Sequence, residues 1–385
     1  MTIGRSSLIP PKKLVSKHSD GPYFVKLLLL WHRRDNQREM PWKGIRDPYK
    51  IWLSEIILQQ TRVAQGWNYY LTILKAYPTL QQLAAAKDAD VFKLWEGLGY
   101  YSRCRNMLRT ARILVKEYKA KFPASYEDLL ALPGIGPYTA AAISSFAFQL
   151  PHAVVDGNVT RVLARFFGIN TPIDSTSGKK SFTELANILL HKKEPGTYNQ
   201  AIMDFGATVC LPQQPICGHC PLEKKCAARQ QGRIYQLPVK EKAVMKKIRW
   251  FAYFIFEYQG KFFVRERTSK DIWQHLNEFH AVETEGAMEW SPAMVEEWLE
   301  QQGIRRYKIQ QISDQQTQVL THREIRAVFI QVKLYRTASF LASYRQMTLT
   351  ELKSLPFPRI VTRWLEQNSN ALSYGEKQGG RITQK

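Results

Sequence analysis

The stretch Leu132-Pro133-Gly134-Ile135-Gly136-Pro137-Tyr138-Thr139-Ala140 decides how the first half of this chain reads. It lies inside YEDLLALPGIGPYTAAAISSFAF, which is apolar on both sides of a short glycine-proline break. That pattern predicts a helix, a tight turn and a second helix. Gly134 and Gly136 would permit backbone torsions closed to other residues and, lacking side chains, would let a partner approach the main chain. Pro137 suits a first helical turn. The free amides beyond it would face an anion such as a DNA phosphate, or the turn would simply join two packed helices.

Outward from this turn the same character continues. Amphipathic helical patterns recur from about Pro22 to Thr208, as in YFVKLLLLWHRR, IWLSEIILQQTRV, RCRNMLRTARILVKEY and NVTRVLARFFGI. After a cysteine-rich loop comes a basic, weakly periodic segment, and then strand-like runs, RWFAYFIFEY, KFFVRER and RAVFIQVKLYR, with helical SPAMVEEWLEQQ and FPRIVTRWLEQ. The expected organisation is an all-α domain over 20–230, a linker over 231–245, a smaller α+β domain over 246–368 and an unstructured tail over 369–385. Two domains also suit a chain of 385 residues.

The 55 Lys and Arg against 33 Asp and Glu give a formal charge of +22, which favours a polyanionic partner, nucleic acid first. No apolar run suits a signal peptide or a membrane span, so a cytoplasmic protein with no membrane partner is expected. Nothing in the sequence demands more than a monomer.

Four of the five cysteines, Cys210, Cys217, Cys220 and Cys226, crowd into CLPQQPICGHCPLEKKC. One short loop can fold four thiolates around one centre, and both a tetrahedral zinc site and an iron-sulfur cluster accept four cysteines. Cys104, far from the loop, reads as core.

Two carboxylates stand in contrasting settings. Helical geometry places Ile51 and Leu58 on the face of Glu55, an apolar environment that would raise its pKa and keep it available as a general acid. Asp156, in AVVDGNVTRVLARFF, sits where a helix begins; it reads as an N-cap, and the positive end of the helix dipole would keep it ionised. One carboxyl held protonated and another held anionic is what glycosidic bond cleavage through an oxocarbenium-like state requires.

REMPW, WLSEIILQQT, LWEGLGYYSRCRN, LPGIGPYTA, VVDGNVTRVLAR, NQAIMDFGATVC and the cysteine loop, in that order, make the chain similar to the adenine DNA glycosylase (MutY) family of the helix-hairpin-helix glycosylase superfamily. FFVRERTSK and LNEFH resemble, more loosely, that family's Nudix-like recognition domain. The resemblance implies a helix-hairpin-helix glycosylase domain followed by a Nudix-like α+β domain. It implies a monofunctional base excision repair enzyme that removes adenine mispaired with 8-oxoguanine or guanine in double-stranded DNA, associated with the nucleoid if bacterial.

Residue by residue, Glu55 matches the general acid and Asp156 the carboxylate that stabilises the sugar cation, while Tyr138 and Asn158 match residues that orient the pair. Gln60 and Tyr100 match residues that wedge into the opened duplex, and Arg38 and Trp42 the adenine pocket region. Gly134 and Gly136 match the phosphate-gripping turn, and the four cysteines match ligands of a [4Fe-4S] cluster. The family's Phe-Ser-His segment stands here as Leu320-Thr321-His322, keeping a hydroxyl and an imidazole but losing the aromatic ring. The glutamate-rich Nudix motif is missing, which argues against nucleotide pyrophosphatase activity. In the related endonuclease III group a lysine occupies the position of Tyr138; its amine attacks the sugar and leads to strand cleavage. A lyase of that kind, and a catalytically inert DNA-binding protein, are the competing readings.

Overall fold

The computed structural model describes residues 20–241 and 246–377. They fall into two compact units, one drawn from residues 20–85 and 106–241 and the other from 86–105 and 246–377. This division differs from the expected one in assigning 86–105 to the second unit.

Among the described residues up to 241 the regular structure is helical. The helices are α1 (Gly21–Arg34), α2 (Pro48–Leu58), α3 (Val63–Ala76), α4 (Leu80–Ala85), α5 (Asp88–Trp95), α6 (Tyr101–Glu117), α7 (Tyr126–Ala131), α8 (Pro137–Phe148), α9 (Gly157–Phe167), α10 (Thr176–Leu189), α11 (Pro195–Thr208) and the single turn α12 (Ala227–Gln230). Local chemistry fixes their starts. Asp47, Ser125, Asp156 and Ser175 each accept a backbone N–H of the first turn, and Pro48, Pro137 and Pro195 open their helices. The core of this unit gathers Phe24 and Leu28 of α1, Val162, Leu163 and Phe166 of α9, Phe182 and Leu185 of α10 and Ile202 and Phe205 of α11. Cys104 is buried, as expected.

The expected linker is not free over its described part. Arg165 of α9 donates from Nε to the carbonyls of Ile234 and Leu237, both at 3.0 Å, and the N–H of Ile173 bonds to the carbonyl of Val239 at 3.0 Å. Residues 231–241 are therefore fastened to the helical unit, and 242–245 lie outside the described residues.

The second unit is built on a mixed sheet of eight strands, β1 (Lys247–Tyr258), β2 (Lys261–Glu266), β3 (Asn277–Glu278), β4 (His280–Thr284), β5 (Tyr307–Ile312), β6 (Gln316–Val319), β7 (Arg323–Leu334) and β8 (Arg345–Met347). The order β3-β2-β1-β7-β5 places the two long strands at the centre, paired in parallel from Lys247↔Arg323 to Glu257↔Lys333. Alternate side chains of β1 serve opposite faces. Phe254 and Phe256 meet Val295 and Leu299 of α13 (Pro292–Gln301), whereas Tyr253 stacks on Phe329, which in turn stacks on Trp364. Trp364 belongs to α15 (Arg359–Lys377), which follows the short α14 (Leu349–Ser354). The tail expected from residue 369 is thus helical as far as Lys377, where Leu372 is still buried. Residues 378–385 lie outside the described residues.

Residues 86–105 join this unit through Glu96. Its carboxylate accepts from the Thr362 hydroxyl and from the Phe357 N–H at 3.4 Å, and Lys93, paired with Glu96 at 2.6 Å, donates to the Leu355 carbonyl at 3.1 Å. Arg105 adds a bond to the Gln274 carbonyl at 2.9 Å.

Candidate active site

A pocket of about 430 Å³ opens in the helical unit, lined by Glu55, Tyr138, Asp156, Asn158, Arg38, Trp42 and Lys43 among others. Three helices supply its polar centre. Glu55 comes from the middle of α2, Tyr138 from the first turn of α8 and Asp156 from the N-cap of α9.

The α2 sequence around Glu55 is apolar on every side, so the helix is buried almost entirely and takes Glu55 with it, leaving 5% of the residue exposed. Removal from water raises the Glu55 pKa from 4.5 to about 7; the Tyr138 hydroxyl, donating to it, opposes the rise and the negative field of Asp156 adds to it. Among the described residues no cation pairs with Glu55. Burial first, then the fields of both carboxylates, holds the Tyr138 phenol well above its ordinary value, so it remains a donor. Its oxygen also lies 3.8 Å from the Met203 sulfur.

Asp156 is an N-cap in the expected sense: its carboxylate accepts from the Val159 N–H at 2.7 Å and from Asn158 Nδ2 at 2.8 Å. Burial pushes the Asp156 pKa upward, and the bonds from Val159 and Asn158 with the field of Arg161 offset that only in part. Asn158 is itself fixed, its Oδ1 accepting from Arg161 Nη2 at 2.8 Å.

Three residues outside the sequence-based site support it. Arg161 also donates to the carbonyls of Gly206 at 2.6 Å and Cys210 at 2.8 Å, tying the orienting Asn158 to the start of the cysteine loop. One helical turn on, Arg165 bonds the carbonyls of Leu211 at 2.7 Å and Pro212 at 2.8 Å. Asp204 of α11, with no exposed surface, receives Arg38 at 2.8 Å, Asn36 at 2.8 Å, Gln200 at 3.0 Å and Lys43 at 3.2 Å. It anchors Arg38 at the pocket wall, while Trp42 is held edge-on against Tyr70. The NQAIMDFGATVC motif contains Asp204 and Gln200, but Asn36, Arg38 and Lys43 lie far upstream in the sequence, beyond the reach of local pattern.

The other expected site residues do not line the pocket. In the turn, Gly134 has φ +77°, and a Cβ there would stand 2.7 Å from that of Asn106, so both conformation and space demand glycine. Gly136 is different: with φ −93° it needs no special torsion, and it caps α8 facing open space. Gln60 is exposed just beyond α2 with φ +55°. Tyr100, with φ +49°, belongs to the second unit, under the guanidinium of Arg103 at 5.5 Å. Thr321 and His322 are exposed in the turn that joins β6 to β7, closed by the Leu320 N–H on the Arg323 carbonyl at 2.7 Å.

Among the described residues none of the four loop cysteines is in a disulfide, and each is half-buried. Burial, with the neighbouring thiols adding, pushes Cys217 and Cys226 upward and Cys220 to about 12. Among the described residues no three His, Cys, Asp or Glu side chains are gathered around a single ion-sized centre. No helix among them is long and apolar enough to cross a membrane.

Residues 53–187 match the HhH-GPD superfamily of base excision DNA repair proteins, and residues 252–367 match the NUDIX domain family. A solved structure of a thermostable thymine-DNA glycosylase, 28% identical, superposes on this chain with a TM-score of 0.52, covering 56% of this chain and 99% of its own. Fold and pocket thus define a helix-hairpin-helix DNA glycosylase extended by a Nudix-like domain, an enzyme of base excision repair that acts on N-glycosyl bonds. The chain belongs, within that class, to the adenine DNA glycosylase family. It is 36% identical over 270 residues to the adenine DNA glycosylase of Buchnera aphidicola subsp. Schizaphis graminum, a match spanning 69% of this chain and 77% of the relative. It is 44% identical over 219 residues to that of Homo sapiens, spanning 54% and 40% respectively.

Proposed function

We propose that this enzyme excises adenine mispaired with 8-oxoguanine or guanine in double-stranded DNA, by hydrolysis and without strand cleavage. The observation that carries the reading is Glu55: a buried carboxyl with a pKa of about 7, bonded to Tyr138, paired with no cation among the described residues, and facing a cavity shared with Asp156.

The target nucleotide leaves the base stack, since its glycosidic bond is inaccessible within the duplex. Protonated Glu55 gives its proton to N7 of the adenine. The C1′–N9 bond breaks with its electron pair going to the base, and the anion of Asp156, held by Asn158 and the Val159 N–H, stabilises the sugar cation. Water adds to C1′ and surrenders its proton to Glu55 or Asp156. Arg38 and Trp42 form the wall against which the base rests, and Asp204 keeps Arg38 from rotating away. Gln60 of the helical unit, and separately Tyr100 of the second, are residues that wedge into the opened duplex. Gly134 shapes the turn and Gly136 leaves its amides open to a phosphate, while Thr321 and His322 probe the base opposite adenine.

Cys210, Cys217, Cys220 and Cys226 suit a [4Fe-4S] cluster: the donor set is four thiols on one loop, half-buried, with the Arg165 guanidinium 3.5 Å from the Cys210 sulfur. When bound, the cluster supplies a cross-link across this loop rather than a reacting atom. Arg161 and Arg165 connect the loop to the helix that Asp156 caps.

A labelled duplex with adenine opposite 8-oxoguanine tests the proposal. Strand breaks revealed only by hot alkali are expected. Breaks without alkali would make the enzyme a lyase, and none in either half would make it an inert binder. Tyr138→Lys, which puts an amine in the pocket, should gain nicking without alkali.

A further inference from the structure

The second unit carries a basic cleft at one end of its sheet. The β5–β7 ladder sets Lys308 directly opposite Lys333 and continues to a bond from the Tyr335 N–H to the Arg306 carbonyl at 3.0 Å. It thereby delivers Arg305 and Arg306 from one strand, and Arg336 from the other, to a cleft of about 800 Å³. Its floor is apolar, made by Phe263, Ile304 and Leu341, each nearly or fully buried. Hydroxyls of Thr337 and Ser339 and the amides of Gln302 and Gln346 stand with the arginines in the lining, and no Asp or Glu does.

Like charges opposed across a ladder repel. Several other arginines of this unit are neutralised: Arg249 by Asp271 and Glu283, Arg265 and Arg267 by Glu278, Arg326 by Glu324. Arg305, Arg306 and Arg336 form no ion pair among the described residues. Glu296 and Glu300 of α13, whose fields reach the Tyr307 phenol, do not line the cleft.

We propose that this cleft is a binding site for a phosphate-ester or polyphosphate anion. Planar guanidinium forks match phosphate oxygens bidentately, and three of them with two hydroxyls suit a multiply charged phosphate better than a lone carboxylate. The cleft lies at the far end of the twelve-residue β7 from Thr321 and His322, on the order of 35 Å along the strand. Its ligand is therefore not the base pair those residues probe. It is either a free phosphorylated molecule or a distant stretch of DNA backbone, with the same chemistry.

Calorimetric titration of the full-length protein with tripolyphosphate, alone and after saturation with a product duplex, tests this. One saturable site is expected, weakened about tenfold or more in Arg305→Gln/Arg336→Gln, both exposed positions, with single-turnover excision unchanged. Binding that survives duplex saturation assigns the site to a free ligand. Binding lost to the duplex as well as to the substitutions assigns it to DNA backbone. No saturable binding, or equal affinity in the double variant, overturns the proposal.

Discussion

Glu55 and Asp204 are both carboxylates stripped of water in the helical unit, and the protein provisions them in opposite ways. Asp204, wholly buried, meets a guanidinium, an ammonium and two amides. Glu55, almost as deeply buried, meets a phenol and the field of a second carboxylate. Burial alone does not make a proton donor. Withholding the counter-ion does, because the desolvation cost is then relieved by holding the proton rather than by pairing. The paired carboxylate builds the wall, and the unpaired one faces the cavity.

The most severe way to break this contrast is Glu55→Gln, which keeps the shape and removes the proton. Excision should fall by about a thousandfold or more while duplex binding persists, read by single-turnover kinetics beside equilibrium titration. The same variant has a stability signature. The folded pKa lies above the unfolded one, so the wild type loses stability as pH rises from 4.5 through about 7, a loss on the order of 3 kcal/mol that the glutamine cannot suffer. Urea unfolding at pH 5 and pH 8.5 should show the variant gaining on the wild type only at the higher pH.

Asp204→Asn attacks the other member. Its cationic partners are about a fifth exposed, so the cost should sit near the low end for a broken buried pair, about 3 kcal/mol, with excision weakened through Arg38. An unchanged urea midpoint would show that the cluster is not what holds the wall. A smaller effect is expected at the turn: Gly134→Ala forces a left-handed alanine against Asn106, costing about 2 kcal/mol and loosening DNA binding, while Gly136→Ala should be nearly silent in stability.

Much of the site was legible because its signals are local. The apolar neighbours of Glu55 announced its burial four residues away, the helix start announced Asp156 as a cap, and the long strands β1 and β7 announced themselves by composition. What escaped depends on partners far apart in sequence. Asp204 is explained by Asn36, Arg38 and Lys43, Arg161 by Gly206 and Cys210, and the placement of residues 86–105 by Phe357 and Thr362. The two glycines of the turn looked equivalent on paper, yet only Gly134 occupies a torsion that requires glycine. Polar residues at 369–377 masked a helix that α15 extends from its packed first turns.

The central claim is that an uncompensated, buried Glu55 is the acid. Its most direct test is the single-turnover excision rate measured from pH 5 to pH 9.5 on a duplex with adenine opposite 8-oxoguanine, for the wild type and Tyr138→Phe. The wild-type rate should fall on an alkaline limb near pH 7, and removing the hydroxyl that lowers the Glu55 pKa should move that limb to higher pH. A rate flat to pH 9.5, or a limb indifferent to Tyr138, would contradict it.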